Sequence, residues 1–346
     1  MILGSDTSKI IDFSKALGIS LVVLGHLNGG YVVYYFHMPL FFFISGILIK
    51  YDQLFKRSTK VAIRTYKHAL FSYLIIGLIS LLLSRYIGGD YGTPFKEGVW
   101  ETIKYAFHSN FHNNSLFLVC WFLICYSLSY ILSSITLMVG DKELFKIKLS
   151  SIISLMLGAF SILYLSAQFK ETSNQIYNLS CQVLYASMFM ILGRNYGLKI
   201  IEVAKIKHIS IVIAIFLIIA ATRISMPIGM SWSKYPSGFV LSTITSLLCI
   251  IALLQSCALI YFRTKTVASN VCNTIIDIGK YTRQIMTYHI LVFVIIDISF
   301  SIFGLWDMKN TTALTHFGGY YFLPLYVLLG VLAPYFVSKV KITLKK

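Results

Sequence analysis

Carboxylates are scarce in this chain: Asp and Glu together number 13 in 346 residues, and charged residues of both signs reach only 12%. Soluble globular domains carry roughly a quarter of their residues charged, so a chain that is also 57% hydrophobic falls outside that class. Cysteine occurs six times, at Cys120, Cys125, Cys181, Cys249, Cys257 and Cys272, and never as a Cys-x-x-Cys pair. That lacks the common zinc and redox motifs and reads the thiols as packing residues inside apolar segments. His108 and His112 are four apart but have no nearby carboxylate motif, so no metal is expected there. No loop is long enough to build a soluble domain, and there is no repeat, low-complexity tract or linker.

Apolar sequence is what the chain has in excess. Stretches that can cross a hydrocarbon core ~30 Å thick, or nearly so, occur at 10–28, 36–50, 68–86, 116–139, 150–168, 178–194, 208–222, 238–261, 283–303 and 320–338. The expected fold is an all-α integral membrane protein, a polytopic bundle of about ten transmembrane helices in a single domain over 1–346. A net charge of +17 raises the question of nucleic acid, and the placement of the charges answers it. With ten spans and an inner N-terminus, 23 of the 30 Lys and Arg fall on the inner side. The basic excess therefore reports topology, with both termini cytoplasmic and no nucleic-acid partner. The first apolar segment runs into the second without a small-residue cleavage site, so helix one is expected to stay in the mature protein.

That first segment, IIDFSKALGISLVVLGHL, carries Asp12, Lys15 and His26. Ionisable groups are costly in lipid and mark function by default. At ~100° per residue all three return to one stripe, and Lys15 and His26 are separated by a rise of ~16 Å. Asp12 is about 21 Å from His26 along the same axis, so its natural partner is Lys15. A short turn leads to FHMPLFFFISGILIK, in which Pro39 suits a first helical turn and Ser45 with Gly46 permits a close helix neighbour. His37 opens this segment, across the turn from His26.

DFSKALGISLVVLGH followed by FHMPLFFFISG resembles the N-terminal signature of the membrane acyltransferase-3 family, particularly its sugar and polysaccharide O-acetyltransferase members. The Lys15 to His26 interval matches the family's basic-x10-His pattern in a lysine form. KRSTKVAIRTYKHALFSYLI resembles the family's basic entry to helix three, WFLICYSL its Trp-Phe-Leu helix start, and IGKYTRQIMTYHILVF its C-terminal Gly-Lys-x-Ser-to-His segment. The likeness runs from residue 12 to about 293. Two positions depart from the pattern: the Arg-x-x-Arg pair is Arg64 and Lys67, and the serine of the last segment is Thr282. Lysine keeps the charge and loses the bidentate fork.

The resemblance implies transfer of an acetyl or short acyl group from cytoplasmic acetyl-CoA to a hydroxyl of a glycan or lipid-linked sugar at the other face of the inner membrane. Within it His26 is the candidate catalytic residue, as a base or as an acyl carrier, with Asp12, Lys15, His37 and His289 in support. Arg64, Lys67 and Lys15 are the candidate contacts for acetyl-CoA. The lipid bilayer is the remaining partner, and a homodimer stays open. A proton-coupled secondary transporter is the alternative, since intramembrane His, Lys and Asp suit one too, although no inverted repeat is visible. A non-catalytic scaffold would leave the polar residues of helix one unexplained.

Overall fold

The computed structural model describes residues 4–27, 31–92, 94–144, 147–204, 218 and 222–343. Its helices, in chain order, are α1 (Ser5–Gly25), α2 (His37–Ile47), α3 (Leu54–Tyr86), α4 (Val99–His108), α5 (Cys120–Val139), α6 (Leu149–Phe160), α7 (Ser166–Thr172), α8 (Gln175–Ala204), α9 (Gly238–Val267), α10 (Ser269–Lys280), α11 (Thr282–Ile302) and α12 (Leu323–Thr343). Seven helical stretches among the described residues are long and apolar enough to cross a membrane: Leu54–Tyr86, Ser115–Val139, Leu149–Thr172, Gln175–Val203, Gly238–Val267, Thr282–Ile302 and Gly319–Val340.

The other three expected spans differ for separate reasons. Residues 208–222 lie almost wholly outside the described residues. α2 has 11 residues, which rise only ~17 Å and fall short of the ~30 Å core. α1 has 21 residues, enough to span, but Asp6, Lys9, Asp12 and Lys15 keep its first half polar. α3 runs the other way, starting at Leu54 rather than near 68. Lys and Arg are good helix formers, so its basic entry stays helical beyond the apolar part.

The chain divides into two compact units, each assembled from separated segments. The first comprises Met1–Gly18, Val32–Tyr66 and Ile124–Lys280. At its centre α2 lies against α8, and glycine makes the approach possible. A Cβ on Gly46 would sit 1.9 Å from the Met190 carbonyl oxygen, and one on Gly193 would sit 2.0 Å from that of Phe43. Gly193 and Gly197 form a Gly-x-x-x-Gly edge that lets the backbones touch. α10 meets α1 in the same manner, since a Cβ on Gly279 would fall 1.8 Å from the carbonyl oxygen of Asp12.

The second unit comprises Ile19–Tyr31, Lys67–Leu123 and Tyr281–Lys346. Its core is α11, where His289, Phe293 and Asp297 recur every four residues on one stripe and are each 0% exposed. α12 packs close by, with Gly330 set so that a Cβ would meet the Phe293 ring at 2.7 Å and Val23 of α1 at 3.0 Å. Pro334, one turn on, cannot donate to the Gly330 carbonyl. Two loops are stitched together beneath this core, with the Asp90 amide donating to the Thr311 carbonyl at 3.0 Å.

Candidate functional site

α1 ends at Gly25, and the His26 amide still donates to the Val22 carbonyl at 3.3 Å. The imidazole of His26 therefore leaves the frayed last turn, partly buried. It meets the ring of His289 with centroids 5.0 Å apart and planes at 60°. The sequence picked out both histidines, and the second unit brings them together.

His289 has a defined tautomer. Its Nδ1 lies 3.0 Å from the Ile285 carbonyl oxygen and 2.9 Å from that of Met286. Carbonyls only accept, so Nδ1 carries the hydrogen and Nε2 keeps a lone pair. That Nε2 is buried and has no hydrogen-bond partner among the described residues. A buried polar atom left unpaired costs ~1–3 kcal/mol, so each one calls for an explanation, of which a catalytic role is one.

The same stripe of α11 leads to a network that the sequence reading did not single out. Asp297 accepts from three donors: Nδ1 of His316 at 2.7 Å, the Phe317 amide at 3.0 Å and the Tyr326 hydroxyl. The His316 side chain is 4% exposed, and its Nε2, like that of His289, has no partner among the described residues. The ring of Phe293 packs against both, 5.6 Å from His289 and 5.1 Å from His316 by centroids. Tyr91 is 0% exposed, and its hydroxyl also has no partner among the described residues. Burial first, and the Asp297 carboxylate second, push that hydroxyl up to about 12. A lone carboxylate in the apolar run ILVFVIIDISFSI was the available signal for Asp297. His68 was missed as well: its Nε2–H donates to Thr287 at 3.0 Å, while the Thr287 hydroxyl donates to the Arg283 carbonyl.

The remaining candidates lie in the first unit, apart from Lys67. Lys15 and Asp12 form an ion pair of 2.6 Å with both side chains 19% exposed. Nδ1–H of His37 donates to the Val33 carbonyl at 2.8 Å, and the ring packs edge-on against Tyr34. Arg64 helps line a cavity of about 200 Å³ with Lys50, Arg57 and Lys60 on an apolar floor of Ile49, Leu54 and Val61, and Tyr130 at its side. Arg57 is held by Asp52 at 2.8 Å. Lys67 is exposed and is not among the lining residues of that cavity. Four cations around an apolar floor can hold a phosphorylated ligand that also carries an apolar or aromatic part.

Comparison with known proteins gives one match over nearly the whole chain: the family model of the acyltransferase domain covers residues 8–339. No curated protein and no solved structure matches the chain.

Proposed function

The chain belongs to the acyltransferase-3 family, and we propose that this membrane acyltransferase moves an acetyl or other short acyl group from cytoplasmic acetyl-CoA to a hydroxyl of a cell-surface polysaccharide or its lipid-linked sugar precursor. The observation that carries the reading is the His26–His289 contact, in which a buried imidazole with a free lone pair stands beside a second imidazole.

In this reading His26 attacks the thioester carbonyl. The carbon–sulfur pair leaves with sulfur as the CoA thiolate, and the proton shed by the His26 ring passes to Nε2 of His289. Histidine suits the task because its ordinary pKa lies near neutrality. The acceptor oxygen then bonds to the acyl carbon and its proton passes to water, while the carbon–nitrogen bond to His26 breaks and His289 returns the earlier proton to the departing imidazole. Lys60 and Arg64 are the proposed phosphate contacts, in a cavity whose aromatic wall, Tyr130, suits a base or a pantetheine arm. Both termini and this cavity are assigned to the cytoplasmic side by the excess of Lys and Arg on alternate loops.

The test is thiol release from acetyl-CoA by the purified protein in lipid nanodiscs, beside His26→Ala. Release by the wild type and its loss in the folded variant support the reading. No release and no binding of acetyl-CoA in several lipid compositions would turn attention to transport, which predicts uptake into vesicles without any acyl donor.

A further inference from the structure

Two buried imidazoles of the second unit, both packed against the Phe293 ring, present an Nε2 without a partner among the described residues, and the proposed acyl transfer uses only that of His289. His316 is the better built of the two. Its Nδ1 is fixed on Asp297 at 2.7 Å, and Asp297 is itself held by the Phe317 amide and the Tyr326 hydroxyl. This is the arrangement that holds an imidazole in one tautomer and steadies the imidazolium formed when it takes a proton.

The surrounding loop is locked rather than loose. Phe317 packs against Phe300 at 4.4 Å and against Phe322 at 5.1 Å. The Trp306 indole donates to Thr311 at 2.6 Å. The chain then turns sharply at Gly318 and Gly319, with φ of +73° and +51°, where a side chain would be strained. Holding His316 against Asp297 thus takes a positive-φ pair and an aromatic cluster, while its Nε2 stays unbonded. A purely structural histidine would be expected to spend that nitrogen on a hydrogen bond.

We propose that His316, positioned by Asp297 and Tyr326, is the base that takes the proton of the acceptor hydroxyl. The inference rests on the acyltransferase reading above. In the step, the hydroxyl oxygen forms a bond to the acyl carbon held on His26, and its proton goes to Nε2 of His316. The carbon–nitrogen bond to His26 breaks, its pair returning to that ring as His289 gives back the proton taken earlier. The imidazolium of His316 then passes its proton to water. Donor cleavage and acceptor activation are thereby divided between two imidazole centres, His26 with His289 and His316 with Asp297.

The test separates acceptors that need a base from one that does not. Thiol release from acetyl-CoA is followed in nanodiscs with water, with glycerol and with hydroxylamine as acceptor, the last being nucleophilic at neutral pH without deprotonation. For His316→Ala and His316→Gln we expect release driven by water or glycerol to fall about 100-fold, while hydroxylamine-driven release stays within about threefold of wild type and free imidazole restores the glycerol reaction of the Ala variant. Asp297→Asn should fall in the same pattern by a smaller factor. Undiminished glycerol reaction in either His316 variant overturns the proposal. So does equal loss with all three acceptors, which marks a structural role. Absence of thiol release by the wild type with every acceptor, hydroxylamine included, overturns the acyltransferase reading and this inference together.

Discussion

His289 reaches His26 edge-on at 5.0 Å while its own Nδ1–H is tied to the backbone one turn behind it. The pairing gives the buried imidazole a direction: Nε2, the atom without a partner, is the one free to exchange a proton.

His289→Gln removes that lone pair at similar volume. Acyl transfer should drop at least about 100-fold, with the Kd for acetyl-CoA unchanged. Titration of binding beside turnover separates the two, and a tenfold weaker Kd with normal turnover would contradict the assignment.

Arg64 has a different expectation, since it lines the basic cavity beside Lys50, Arg57 and Lys60. Arg64→Glu should raise the Kd for acetyl-CoA by roughly tenfold or more, about 1.4 kcal/mol, and make the remaining binding less sensitive to salt. Arg57→Gln should do less, because Asp52 already holds that guanidinium at 2.8 Å. Isothermal titration at two salt concentrations reads both.

The Lys15–Asp12 pair is 2.6 Å long and 81% removed from solvent on each side by its 19% exposure. Asp12→Asn or Lys15→Met alone leaves an uncompensated charge and should destabilise by about 1–3 kcal/mol. The double variant should recover part of that loss. Thermal melts in detergent, read as a double-mutant cycle, measure the coupling.

Gly279→Val should be more damaging than either. Its Cβ would enter the Asp12 carbonyl at 1.8 Å, and the obstacle is backbone, which cannot rotate away. Gly98→Ala, where nothing lies within 4 Å but φ is +96°, separates strain from clash. The melting temperature should fall by more in the first variant, at a cost of about 1–3 kcal/mol or above.

Much of this was legible in the sequence because lipid punishes charge. His26, His289, Asp12 and Lys15 stood out against apolar neighbours, and Asp12 with Lys15 paired at the spacing that one helical turn allows. Gly279 and Gly46 could be seen as small residues, although which backbone they admit depends on helices far away in the chain. Asp297 obeyed the same rule as Asp12, but its partner His316 lies 4% exposed in a loop, and loop geometry has no period to read. The length of α3 was hidden for the opposite reason: lysine and arginine end an apolar stretch without ending a helix. α2 looked longer than its 11 residues because apolar sequence continues past Ile47.

The most direct test of the account is transfer of labelled acetyl from acetyl-CoA by protein in nanodiscs, with wild type and His26→Ala side by side and melting curves on both. Transfer by the wild type is expected, with a loss of about 100-fold or more in a variant that melts at the same temperature. Undiminished transfer by His26→Ala would contradict it.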